Sequence, residues 1–135
     1  MTDKHLIQIG RITINFQSLE HIICWAIVLY SKDKKELKIE NVFESKLSFS
    51  HLLNRLERQC TESNEIKALI LEIKAIAEKR NQIIHSSWWT DTKNRNEISR
   101  NKGKKTTIVE IRDLKKIADE ILALKNKLSS FLGEI

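Results

Sequence analysis

From Lys4 to Tyr30 the apolar positions Leu6, Ile9, Ile12, Phe16, Leu19, Ile23, Ala26, Ile27 and Tyr30 recur at steps of three and four residues, the spacing that keeps one face of an α-helix apolar. This predicts a long first helix. Ser31 to Glu40 is rich in lysine and acid and reads as a solvated connection. Phe49, Leu52, Leu53 and Leu56 predict a second helix from about Ser48 to Cys60, with the Ser48 hydroxyl able to accept a bond from a first-turn N–H. Thr61 to Glu65 supplies capping residues and early acids, after which Ile66, Leu69, Ile70, Ile73, Ile76 and Ala77 mark a third helix running on into Lys79 and Arg80. A fourth is expected to begin near Asp113 and to continue through Leu114, Ile117, Ala118, Ile121, Leu124, Leu128, Phe131 and Leu132.

Between the last two helices the pattern changes. Ser86 to Asp91 and Lys105 to Ile111 are short runs of Trp, Thr, Ile and Val flanking a polar, basic stretch with Gly103 in it. A short β-hairpin or a basic loop over residues 92–105 is expected there. The whole reads as one domain over residues 1–135, all-α, a four- to five-helix up-and-down bundle. Composition supports this: no prolines, three glycines and 6% aromatic residues suit few turns and long helices better than a sandwich or barrel.

Cys24 and Cys60 have no metal-ligand spacing and fall in helical patterns, where a thiol behaves as a small buried hydrophobe. A reducing, cytoplasmic setting is the simplest expectation. The apolar run from Ile22 to Tyr30 is too short to cross a bilayer and lies inside a longer amphipathic pattern, so neither a signal peptide nor a membrane span is expected.

The net charge of +6 is unevenly placed. Residues 79–105 hold Lys79, Arg80, Lys93, Arg95, Arg100, Lys102, Lys104 and Lys105 against Asp91 and Glu97, which equals the whole excess. Such a cluster is an electrostatic footprint for a polyanion, of which nucleic acid is the commonest in cells. A merely solvated basic loop is the alternative on charge alone.

Projected at about 100° per residue with Ile73 at zero, Arg80 falls near −20°, on the apolar stripe of the third helix. A guanidinium there must face a carboxylate, a cleft or a bound anion, because burying an unpaired charge costs several kcal/mol or more. Asn81 projects at about 80° and His85 at about 120°, so Arg80 and His85 diverge on a regular helix. A helix irregularity or a second subunit would have to complete a shared site. Glu20, between Phe16 and Ile23 on the first helix, is the natural acidic partner for Arg80 or for a histidine nitrogen, and an ordinary Glu20–Arg80 ion pair tying two helices is the simpler use of the same residues. His21 and His51 have no ligand partner at a useful spacing; no metal or other cofactor is expected.

Arg80-Asn81 followed by His85, near the end of a helix in a four-helix chain, resembles the HEPN ribonuclease motif, an arginine and a polar residue preceding a histidine. The first helix with Gly10, Phe16 and Leu19-Glu20, the Leu47-Ser48-Phe49 entry to the second, and the His85-Ser86-Ser87-Trp88 continuation are similar to small HEPN-like proteins. The resemblance implies a homodimer with two motifs facing across a cleft and a metal-independent ribonuclease that uses the ribose 2′-hydroxyl as nucleophile. Arg80, Asn81 and His85 would be catalytic and Glu20 supporting. Lys79, Lys93, Arg95, Arg100 and Lys102 would hold the RNA, and Trp88 or Trp89 would stack on a base or else pack the hairpin. Ser87 stands where HEPN toxins paired with a nucleotidyltransferase antitoxin often carry a tyrosine. A place in a toxin or phage-defence system, with an antitoxin or regulatory protein as partner, is one expectation. A non-catalytic helical dimer that binds RNA, a nucleotide or a protein is the alternative.

Overall fold

The computed structural model describes residues 2–30, 42, 48–84, 87–90, 97–102 and 105–133. Four long helices carry it: α1 (Asp3–Leu29), α2 (Phe49–Gln59), α3 (Asn64–Ile84) and α4 (Ile111–Gly133). Local chemistry sets their starts. Thr2 caps α1, Ser48 accepts from the His51 N–H at 3.2 Å, and Ser63 accepts from the Ile66 N–H at 3.3 Å, each satisfying a first-turn donor that has no partner within the helix. α4 starts two residues before the expected Asp113 because that carboxylate reaches back to the Glu110 N–H at 3.4 Å, making Asp113 a first-turn residue rather than the start.

The helices enclose one apolar cluster. Ile12, Leu19, Ile23 and Ile27 of α1, Leu53 and Leu56 of α2, Ile66, Ile70 and Ile73 of α3, and Leu114, Ala118 and Ile121 of α4 are buried in it, as are both cysteines. The expected stripe holds over most of α1 but not at its start: His5 is buried with its ring against the capping Thr2 hydroxyl, and Leu6 is 53% exposed. Side-chain contacts fix neighbouring helices, with Arg11–Asp119 at 2.7 Å and an Asn15 bond to the Ala118 carbonyl between α1 and α4, and Lys74–Glu57 at 2.8 Å between α2 and α3. By length and composition α1 is apolar enough to cross a membrane, yet one side of it is core while Ile7, Ile14 and Trp25 lie exposed on the other. The connection expected over residues 31–40 lies outside the described residues.

Between α3 and α4 the backbone forms a three-stranded antiparallel sheet in the order β1 (Ser87–Thr90), β2 (Glu97–Lys102), β3 (Lys105–Glu110). A two-stranded hairpin or a basic loop was the expectation. The extra strand is β2, drawn from the stretch read as loop: its charged and polar residues carry little apolar alternation, but its N–H and C=O groups lie between two partners and are satisfied by both ladders.

Candidate functional site

Arg80 lies one turn before the end of α3, on the face that α3 turns toward the core. Neighbouring positions on that face, Ile73, Ile76 and Ala77, are buried. The guanidinium solves its placement on this stripe by stacking: its central carbon is 4.4 Å from the centroid of the Phe16 ring on α1, within the range where a cation is attracted by the ring's negative face. Phe16 is buried and is itself held by Phe49 of α2, the two ring centroids 4.4 Å apart and the planes tilted by 37°. Two helices therefore build the platform under a charge carried by a third.

The hydrogen-bonding groups of Arg80 are only partly used. Nη1 donates to Asn81 Oδ1 at 3.0 Å, while Nε is buried and has no hydrogen-bond partner. Among the described residues no carboxylate pairs with the guanidinium. Three acids of α2 and α3 have other contacts, Glu57 with Lys74, Glu72 with Lys127, and Glu78 as acceptor from Gln82. The expected Glu20–Arg80 pair is absent: Phe16, one turn away on α1, occupies the position over the guanidinium. Glu20 instead acts on its own helix, where its charge adds to burial in pushing the Cys24 thiol up to about 11. Burial also raises Cys60. Both thiols stay protonated at neutral pH and are unsuited to nucleophilic work.

The structure thus brings Arg80 and Asn81 together. His85 follows the last residue of α3 and lies outside the described residues, as do Lys93 and Arg95. Lys79 is exposed and lines a shallow groove between α3 and α4. Arg100 and Lys102 lie on β2, with Arg100 in register opposite both Trp88 of β1 and Thr107 of β3, and Lys102 opposite Lys105; Trp89 is opposite Ser99. His21 is exposed and receives the Trp25 indole N–H at 3.0 Å, and the His51 ring contacts the capping Ser48 hydroxyl at 2.9 Å, so both rings serve their own helices. Among the described residues no group of three metal-ligating side chains occurs. Phe16 is the site residue that pattern reading placed only in the core. The signal for it was an arginine on the apolar stripe of one helix facing an aromatic on the apolar stripe of another.

A groove of about 410 Å³ runs between α2 and α3 and ends at Asn81. No protein-family model, no curated protein and no solved structure matches this chain.

Proposed function

We propose that this chain is a HEPN-like, metal-independent endoribonuclease acting as a homodimer. The observation that carries the reading is the state of Arg80: a guanidinium fixed over Phe16, with a buried Nε–H lacking an acceptor and no carboxylate among the described residues to neutralise it. Nε is closed to solvent and Nη1 is engaged by Asn81, so the donors left for an oxyanion are those of Nη2 and the second Nη1 hydrogen, and a phosphodiester presents two oxygens to them. The basic residues of segment 79–105 give that part of the sequence a net positive charge, the sign that draws RNA.

In the proposed reaction the ribose 2′-oxygen attacks phosphorus and gives its proton to a base. The bond from phosphorus to the 5′-oxygen then breaks, and that oxygen takes a proton. The products are a 2′,3′-cyclic phosphate and a 5′-hydroxyl. Arg80 stabilises charge on the phosphoryl oxygens as the pentacovalent transition state forms. Asn81 fixes the guanidinium through Nη1. His85 serves as base or acid, an imidazole being able to do either near pH ~6.5. α3 extends through Ile84 and His85 lies outside the described residues; on the sequence projection position 85 diverges from Arg80, which favours a site completed by a second copy. A nuclease of this kind inside a cell needs restraint, and an antitoxin or regulatory protein is the proposed partner.

The experiment is incubation of purified protein with RNA in EDTA, comparing wild type with Arg80→Ala and His85→Ala. Cleavage lost in both variants supports the reading. Cleavage that survives both, or that needs a divalent metal, removes it. RNA binding without cleavage selects the non-catalytic dimer.

A further inference from the structure

The groove between α2 and α3 has a character different from the Arg80 site that it adjoins. Its volume, about 410 Å³, is within the range of small-molecule clefts, about 300–1,000 Å³. Leu53 and Ala77 form an apolar floor, and Phe49, whose ring already packs on Phe16, contributes an aromatic wall. Ser50 and Asn54, one turn apart on α2, and Asn81 on α3 place hydroxyl and amide groups along the rim. Asn81 uses its oxygen for Arg80, which leaves its amide N–H groups to donate. Apolar surface beside hydroxyl and amide groups, with the two charged lining residues Lys74 and Glu78 of opposite sign, suits a neutral aromatic heterocycle.

Charge argues against an anion in the groove itself. Its one cation, Lys74, is engaged by Glu57 at 2.8 Å. Glu78 adds a carboxylate to the lining, held only by a 3.4 Å bond from Gln82. A phosphate is repelled there and attracted two residues further along α3, at Arg80. A carboxylate on the rim accepts from an exocyclic amine, as acidic side chains do from the amino group of cytosine, and has nothing to accept from at the corresponding position of uracil.

Resting on the proposal that RNA is the substrate, we infer that this groove is a nucleobase subsite that receives the base next to the phosphate held by Arg80 and prefers a base carrying an exocyclic amine. Phe49 supplies the stacking face, Asn54 and Ser50 read the edge, and Glu78 sets the preference.

The test uses 2′-O-methyl oligonucleotides of cytidine, adenosine or uridine, which bind but cannot be cleaved by 2′-oxygen attack, in EDTA at low salt with fluorescence anisotropy as readout. The cytidine and adenosine oligomers are expected to bind wild type more tightly than the uridine oligomer. Asn54→Ala weakens them by about tenfold, the effect of one lost polar contact. Glu78→Gln removes the discrimination. Arg80→Ala weakens all three alike, as loss of a phosphate contact does. Equal binding of the three oligomers by wild type, unchanged binding by Asn54→Ala, or no binding at all overturns the subsite. Parallel cleavage of the 2′-hydroxyl oligomers separates the two proposals. Arg80-dependent cleavage with an inert Asn54→Ala removes only the subsite, whereas Asn54-dependent selective binding without cleavage removes only the ribonuclease.

Discussion

The Arg80 guanidinium lies 4.4 Å above the Phe16 ring, a contact between two helices that replaces the ion pair a charge on a core stripe ordinarily demands. A cation–π contact of this kind contributes about 0.5–2 kcal/mol depending on its hydration, less than a buried ion pair needs to offset desolvation, but it occupies only one face of the guanidinium. With Nε buried and Nη1 donating to Asn81, the Nη2 end is the part left to meet a phosphate.

Arg80→Met is therefore expected to separate stability from function. Its aliphatic chain keeps contact with the Phe16 ring, so thermal melting should shift by no more than about 1 kcal/mol, while RNA cleavage falls by at least about 100-fold. A sharp loss of stability with activity retained would make Arg80 a structural residue.

Phe16→Leu should behave in the opposite order. It removes the platform and the Phe49 contact, which is expected to cost about 1–3 kcal/mol in a denaturant titration. Cleavage should fall about tenfold because the guanidinium is less well fixed, and Phe16→Tyr should restore most of both.

Much of this arrangement was legible in the amino-acid order. Helical spacing of the apolar residues located all four described helices, and Arg80 stood out because a guanidinium interrupted the Ile73–Ile76–Ala77 stripe. Its partner was not legible. Opposite charge pointed to Glu20, but which of two residues one turn apart on α1 faces another helix depends on packing, and the structure chooses Phe16. β2 was missed for a related reason: Glu97–Lys102 has no apolar alternation and is ordered through its backbone partners on both sides. The buried His5, whose ring contacts the capping Thr2 hydroxyl, is likewise invisible to apolar spacing.

Cys24 makes stability sensitive to alkaline pH. Its thiol is raised from 9.0 to about 11, by burial first and by Glu20 second. In the unfolded chain it ionises at its lower ordinary value, so the unfolded state loses its proton first and is favoured as pH rises. The stabilisation is complete below pH ~9 and declines by on the order of 2–3 kcal/mol by pH ~11. Urea titrations across this window should show a shallower decline for Cys24→Ala than for wild type. An identical decline in both would contradict the assignment.

Gly10 sits in the interior of α1 where an added methyl group would meet no described atom within 4 Å. Glycine there costs helix stability without a packing return, so Gly10→Ala should stabilise by about 0.5–1 kcal/mol in thermal denaturation. A lower melting temperature would show that the position serves a contact beyond the described chain.

Ser48→Ala removes the α2 cap at the His51 N–H and should destabilise by about 0.5–2 kcal/mol in the same assay. Because α2 carries Phe49 and one wall of the groove, cleavage should weaken modestly with it, and Ser48→Asp should recover both.

The chemistry of the RNA ends distinguishes 2′-oxygen attack from other routes. A defined oligoribonucleotide is incubated with wild-type protein in EDTA, and the fragments are weighed by mass spectrometry beside a chimera carrying 2′-deoxyribose at the cleaved position. Attack by the 2′-oxygen gives a 2′,3′-cyclic phosphate and a 5′-hydroxyl from RNA, no cut in the chimera, and no cut by Arg80→Ala. A 5′-phosphate end, or cleavage of the deoxy chimera, would contradict attack by the 2′-oxygen on a phosphate held by Arg80.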